Sequence, residues 1–144
     1  MSTEKNKAIV QRFSEEVINN GNEAVIPELL ASNYVFRDPS GPKYHGPEGY
    51  KQHLRNYRVV FPDLHITTEE MIAEGSKVVG RFTWRGTHQG ELDGIPPTGK
   101  QTVSPALHVF TIVDGKIVEE YGIVDTLLLL QQLGVASEPS QAEA

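Results

Sequence analysis

Apolar positions recur at three- and four-residue steps through the first part of the chain, then change to long alternating runs after Asp63. From Thr3 to Asn20, the side chains of Ala8, Ile9, Phe13, Val17 and Ile18 fall on one helical face, and Asn20-Gly21 stops the run. A shorter helix is predicted from Glu23 to Ala31, opened or kinked by Pro27. Tyr34 to Arg37 reads as extended and ends in turn chemistry at Asp38-Pro39-Ser40-Gly41-Pro42. A third helix starts at Gly46-Pro47-Glu48, places Tyr50, Leu54, Tyr57 and Val60-Phe61 on its apolar side, and closes at Pro62. Beyond it, Leu64 to Ala73, Lys77 to His88, Gln101 to Val113 and Lys116 to Val124 read as strands, with hairpin turns at Glu74-Gly75-Ser76 and Asp114-Gly115.

Helices gathered first and a strand meander afterwards predict an α+β fold. Three N-terminal helices pack on a strongly curved antiparallel sheet, forming a cone around an apolar pocket, and a short helix follows in the leucine run Leu127 to Leu133. One domain is expected over residues 1–138, with the small, polar residues 139–144 as a disordered tail.

The 144 residues suffice for a core without staples. Absence of cysteine excludes disulfides, thiolate nucleophiles and Cys-based metal sites, and fits a reducing cytoplasm. The polar start lacks the apolar stretch of a signal peptide, and no run is long enough for a membrane span, so a cytoplasmic protein is expected. Thirteen basic residues against nineteen acidic ones give a net charge of −6 with no basic stripe, which argues against nucleic acid as a partner.

Candidate chemistry centres on Asp125, a carboxylate at a strand end among apolar residues, where a fold can hold a general base. The same residue, just before Thr126 and a leucine-rich helix, could equally serve as an N-cap. His108 shares a strand face with Phe110 and Ile112; it is either a satisfied core histidine or a hydrogen-bond donor to an enolate or carbonyl oxygen. Trp84 and Tyr121 read as pocket wall or packing, and His88 as a pocket residue or the organiser of its turn. For Asp38, which could border a pocket, the turn reading is favoured. His53 reads as solvent-facing, whereas Tyr50, Tyr57 and Phe61 close the cavity mouth or fill the core. Gly94-Ile95-Pro96-Pro97-Thr98-Gly99-Lys100 mimics a phosphate loop, but Gln101 stands where a Ser or Thr would hold magnesium and the segment precedes a strand. It reads as a hairpin loop over the cavity or at a subunit contact. No H-E-x-x-H pair or Gly-x-Ser-x-Gly elbow occurs.

The stretch Gly86 to Lys100, then His108, Asp114-Gly115-Lys116-Ile117, Asp125 and Gln132-Leu133-Gly134, resembles the SnoaL-like polyketide (ester) cyclase family of the NTF2-like superfamily. Tyr34-Val35, Gly46-Pro47-Glu48-Gly49 and Phe61-Pro62-Asp63-Leu64 extend the likeness over nearly the whole domain. The resemblance implies a cofactor-free, metal-free enzyme closing a ring of a polyketide-like carbonyl substrate by intramolecular aldol condensation. It puts Asp125 at the catalytic acid/base and His108 at a pocket histidine; beside them, Tyr121, Trp84, His88, Phe13, Asp38, Tyr57 and Phe110 are the expected substrate contacts. A small apolar or aromatic carbonyl partner and a homodimer are expected. Ala106 stands where the characterised cyclases carry a polar amide, and Tyr121 where tryptophan is common, so proton transfer on a carbonyl compound is better supported than one polyketide. An isomerase, dehydratase or epoxide hydrolase, or a non-catalytic binding module, are the alternatives on the same scaffold.

Overall fold

The computed structural model describes residues 2–136; the tail expected at 139–144 lies outside them. Ser2 accepts from the Lys5 amide and caps α1 (Thr3–Arg12), with Glu4 in the first turn, where the helix dipole favours an acid. The helix continues into a π-helical segment, Phe13–Asn19, whose wider turn buries Phe13, Ser14, Val17 and Ile18. Ala8, expected on the buried face, is exposed. A 3-10 turn (Glu23–Val25) and α2 (Ile26–Leu29), with Pro27 in its first turn, lead into the sheet.

Six strands follow one order across a curved sheet, β2-β1-β6-β5-β4-β3. These are β1 (Leu30–Asp38), β2 (Gly41–His45), β3 (His65–Glu74), β4 (Lys77–Thr87), β5 (Gln101–Val113) and β6 (Lys116–Val124). All neighbours are antiparallel except β1 and β6, which run parallel. The sheet is thus mixed, with a β1–β2 hairpin that the alternation pattern did not mark beyond Arg37. α3 (Gly46–Val60) packs over β1 and β2, and α4 (Thr126–Gln132) is the last element among the described residues. Asp114 and Gly115 both adopt positive φ, 51° and 78°, as a two-residue hairpin turn requires.

A bulge in β6 decides what faces inward. Thr111 pairs with Glu119 but Ile112 pairs with Ile117, leaving Val118 as the extra residue. Ile117 is buried, and after the bulge the inward parity shifts to Glu120 and Gly122. The core lies between the concave face and the helices, around Val10, Phe13, Leu30, Tyr34, Phe82 and Phe110. On the convex side Val103, Leu107 and Ile123 stay about half exposed.

The loop between β4 and β5 packs against the end of α3. Gln89 and Gly90 amides donate to the Val60 carbonyl, and a Cβ on Gly90 would fall 2.3 Å from the Val59 carbonyl oxygen, so only glycine permits this approach. At the other end of the sheet, the Gln132 side-chain amide donates to and accepts from the Val103 backbone, both at 2.8 Å, extending the ladder past the end of β6 and anchoring α4.

Candidate active site

A chamber of about 330 Å3 opens between α3 and the concave face of the sheet, within the size range of small-molecule sites. Its walls are aromatic. Phe36 of β1 stacks on Tyr44 of β2 at 4.7 Å and 2°, Tyr44 stacks on His53 of α3 at 4.4 Å, and Tyr57 meets Trp84 of β4 edge-on at 5.8 Å. Such walls favour a planar, largely apolar guest.

The floor is polar and buried. Glu120 of β6 receives the Tyr34 hydroxyl on Oε1 at 2.7 Å, and its Oε2 lies 2.7 Å from His108 Nδ1. Tyr34, Glu120 and His108 are 0%, 4% and 5% exposed. An ionised carboxylate can only accept, so with Glu120 in that form the proton of this bond belongs to Nδ1, and a neutral ring then carries its lone pair on Nε2. Nε2 has no hydrogen-bond partner in the protein. Phe110 stacks on the imidazole at 6.0 Å and Phe82 meets it edge-on at 5.7 Å, fixing the ring plane. Gly122 faces His108 across the β5–β6 ladder, and a Cβ there would sit 2.8 Å from His108 Cε1 and 2.9 Å from Phe36 Cζ. The bare backbone at Gly122 is what lets both rings close on the strand.

Burial sets the protonation of the rest. It raises the Tyr50, Tyr34 and Tyr44 phenols far above their ordinary value, with the Glu120 charge adding to the shift. Burial pushes Tyr57 up to about 12. The same desolvation lowers His53, opposed by Glu120. At neutral pH the chamber therefore presents protonated phenols. At its mouth Asp38 accepts from the Ser40 hydroxyl at 2.6 Å and amide at 2.8 Å, bonds that hold its carboxyl below the usual range.

Of the residues singled out from sequence, His108, Trp84, Tyr57 and Asp38 line the chamber. Asp125 does not. Its side chain is exposed and its Oδ1 accepts the Leu128 amide at 2.9 Å as the N-cap of α4, although Val124 and Thr126 on either side border the cavity. The burial that the acid/base reading requires is absent there, and the cap reading describes its contacts. Tyr121 points to the convex face because of the bulge at Val118. His88 is wholly buried in its own loop, where Nδ1 accepts the Thr98 amide at 3.2 Å and the ring lies against Phe61. Phe13 and Phe110 belong to the core behind the chamber rather than to its lining. His53, read as solvent-facing, is a chamber wall.

Glu120 escaped sequence reasoning, as did Phe36, Tyr44 and the Tyr34 hydroxyl. The available signal was the Glu119-Glu120 pair inside an apolar strand: alternation obliges one of two adjacent carboxylates to face inward. Among the described residues no three His, Asp or Glu side chains gather as metal ligands, and no helix is long and apolar enough to cross a membrane.

A profile of the SnoaL-like polyketide cyclase family matches residues 8–133. The nogalonic acid methyl ester cyclase of Streptomyces nogalater is 33% identical over 118 residues, covering 81% of this chain and 88% of that one. The aklanonic acid methyl ester cyclase DnrD of Streptomyces peucetius is 28% identical over 124 residues, covering 83% and 84%. Among solved structures, AclR of Streptomyces galilaeus matches with a TM-score of 0.86 over 99% of this chain and 93% of its own, at 24% identity, a likeness of fold.

Proposed function

We propose, from the premise that the chain belongs to the SnoaL-like polyketide cyclase family, that it closes a ring on a polyketide-like carbonyl substrate by intramolecular aldol addition, with His108 as acid and base. The observation that carries this reading is the buried Tyr34–Glu120–His108 chain, which orients the imidazole, with Nε2 unpartnered, at the edge of the aromatic chamber that His108 lines.

The chemistry follows from that orientation. The His108 imidazole takes up the proton released by a carbon flanked by carbonyls, and the imidazolium that forms stays paired with the Glu120 carboxylate. The enolate carbon attacks a second carbonyl of the same molecule, forming a carbon–carbon bond and an alkoxide. The alkoxide then receives a proton at the expense of the imidazolium, so the product is an isomer of the substrate and the enzyme returns to its starting state. Protonated Tyr50, with a buried ring and raised pKa, can donate a hydrogen bond to the developing oxyanion.

Nogalonic acid methyl ester and aklanonic acid methyl ester, after which the two relatives are named, are suitable probes. The expected result is a cyclised product of unchanged mass, with His108→Asn lowering kcat by about 100- to 10,000-fold, the usual worth of general acid–base catalysis. Failure to cyclise either ester, or full turnover by His108→Asn, removes the reading.

A further inference from the structure

Adjoining the main chamber, and sharing Ile18, Trp84, His108 and Glu120 with its lining, lies a second, much smaller space of about 10 Å3 that is also lined by Ser14. A single water needs roughly 10 to 15 Å3 on that measure, and a buried water typically makes about three hydrogen bonds. The void offers that number. Trp84 Nε1 and His108 Nε2 are both buried without a protein partner. Ser14 Oγ gives its own proton to the Val10 carbonyl at 3.1 Å and keeps its lone pairs. Both oxygens of Glu120 are already engaged.

We propose that one internal water occupies this void, accepting from the Trp84 indole N–H and donating to His108 Nε2 and to Ser14 Oγ. The three groups match the water's capacity in sign: one donor, two acceptors. Two buried orphan atoms on neighbouring side chains, each costly if left unpaired, are satisfied together. Ser14 reaches this position because the π-helical segment turns it inward, and Trp84 and His108 come from adjacent strands of the sheet.

The site itself is independent of any reaction. Its role, which rests on the reading of His108 as the base, is to carry the proton. His108 Nε2 removes a proton from the water while the water takes one from the substrate carbon; on the return, the alkoxide draws a proton from the water, which recovers one from the imidazolium. Protons balance over the cycle, and Trp84 and Ser14 act as positioning residues for the water.

A crystal structure of the whole protein at a resolution that shows ordered waters tests the site. One water within about 3.2 Å of Trp84 Nε1, His108 Nε2 and Ser14 Oγ is expected, lost or displaced in Trp84→Phe and in Ser14→Ala. An empty void in the wild type overturns the proposal. The relay is tested by turnover of the two methyl esters in mixtures of light and heavy water. Two protons in flight give a curved dependence of kcat on deuterium fraction in the wild type. Trp84→Phe and Ser14→Ala, checked for folding by thermal melts, lower kcat roughly ten- to hundredfold with little change in KM. A linear dependence, with kcat unchanged in both variants, overturns the relay while leaving the water in place. An ordered water in a protein whose His108→Asn variant keeps full turnover refutes the base assignment instead.

Discussion

Two carboxylates on β6 and its exit meet opposite environments. Glu120 is buried between a phenol and an imidazole, whereas Asp125 is exposed and holds a helix N-terminus. Asp125→Ala removes the cap and should cost about 1 kcal/mol in urea unfolding, while Asp125→Asn, which keeps a capping oxygen, should cost only a few tenths. Both variants should cyclise substrate at the wild-type rate; a hundredfold loss in either would return the acid/base role to Asp125. His53 contributes the pH dependence. Its folded pKa is depressed by burial, so the stability it contributes is complete above the unfolded value near 6.5 and is lost as pH falls through the folded value. Asp38, Glu23 and Asp63 are also depressed, but they act only below about pH 4. Thermal melts from pH 7 to 5 should show wild-type stability declining and His53→Gln declining less; parallel curves would contradict a desolvated imidazole.

At the level of the strand, one extra residue separates what was legible from what was not. The helical period, the hairpin turns and the long strands β3 to β6 could be read directly, because burial on one face imposes period 3.6 or 2 on the sequence. Strict alternation from Ile117 would put Tyr121 inside, and the bulge at Val118 reverses it. A bulge has no fixed signature in side-chain pattern, so Tyr121 was expected at the pocket and Glu120, which takes the inward place, went unread. β2 went unread for a related reason: Gly41-Pro42 argues against a central strand, but β2 is at the sheet edge, where a missing N–H is tolerated. The inversion is testable in adjacent residues. Tyr121→Phe, on the convex face, should leave turnover intact. Gly122→Ala should displace His108 or Phe36, lower kcat at least tenfold, and cost about 1–3 kcal/mol as overpacking does. Equal activity of the two variants would mean that the inner face is not the working one.

Taken whole, the molecule surrounds one buried negative charge with phenols that cannot ionise beside it. Tyr34, Tyr44 and Tyr50 are raised by burial and then by Glu120, and Tyr57 is raised by burial to about 12. The chain has five tyrosines, so most of its phenol absorbance reports on the chamber. In the unfolded chain these groups lose protons near pH 10, whereas in the folded protein they keep them. Their contribution to stability is therefore present below about pH 10 and is lost as pH rises towards the folded values, which makes the buried phenols an alkaline limit on the fold. Absorbance at the tyrosinate band, followed with far-UV circular dichroism during alkaline titration, should show most of the phenol signal withheld past pH 10 and then released in one step together with loss of secondary structure. Gradual ionisation of four tyrosines near pH 10 with the fold intact would mean that water already fills the chamber, and that the low-dielectric setting assigned to Glu120 and His108 does not exist.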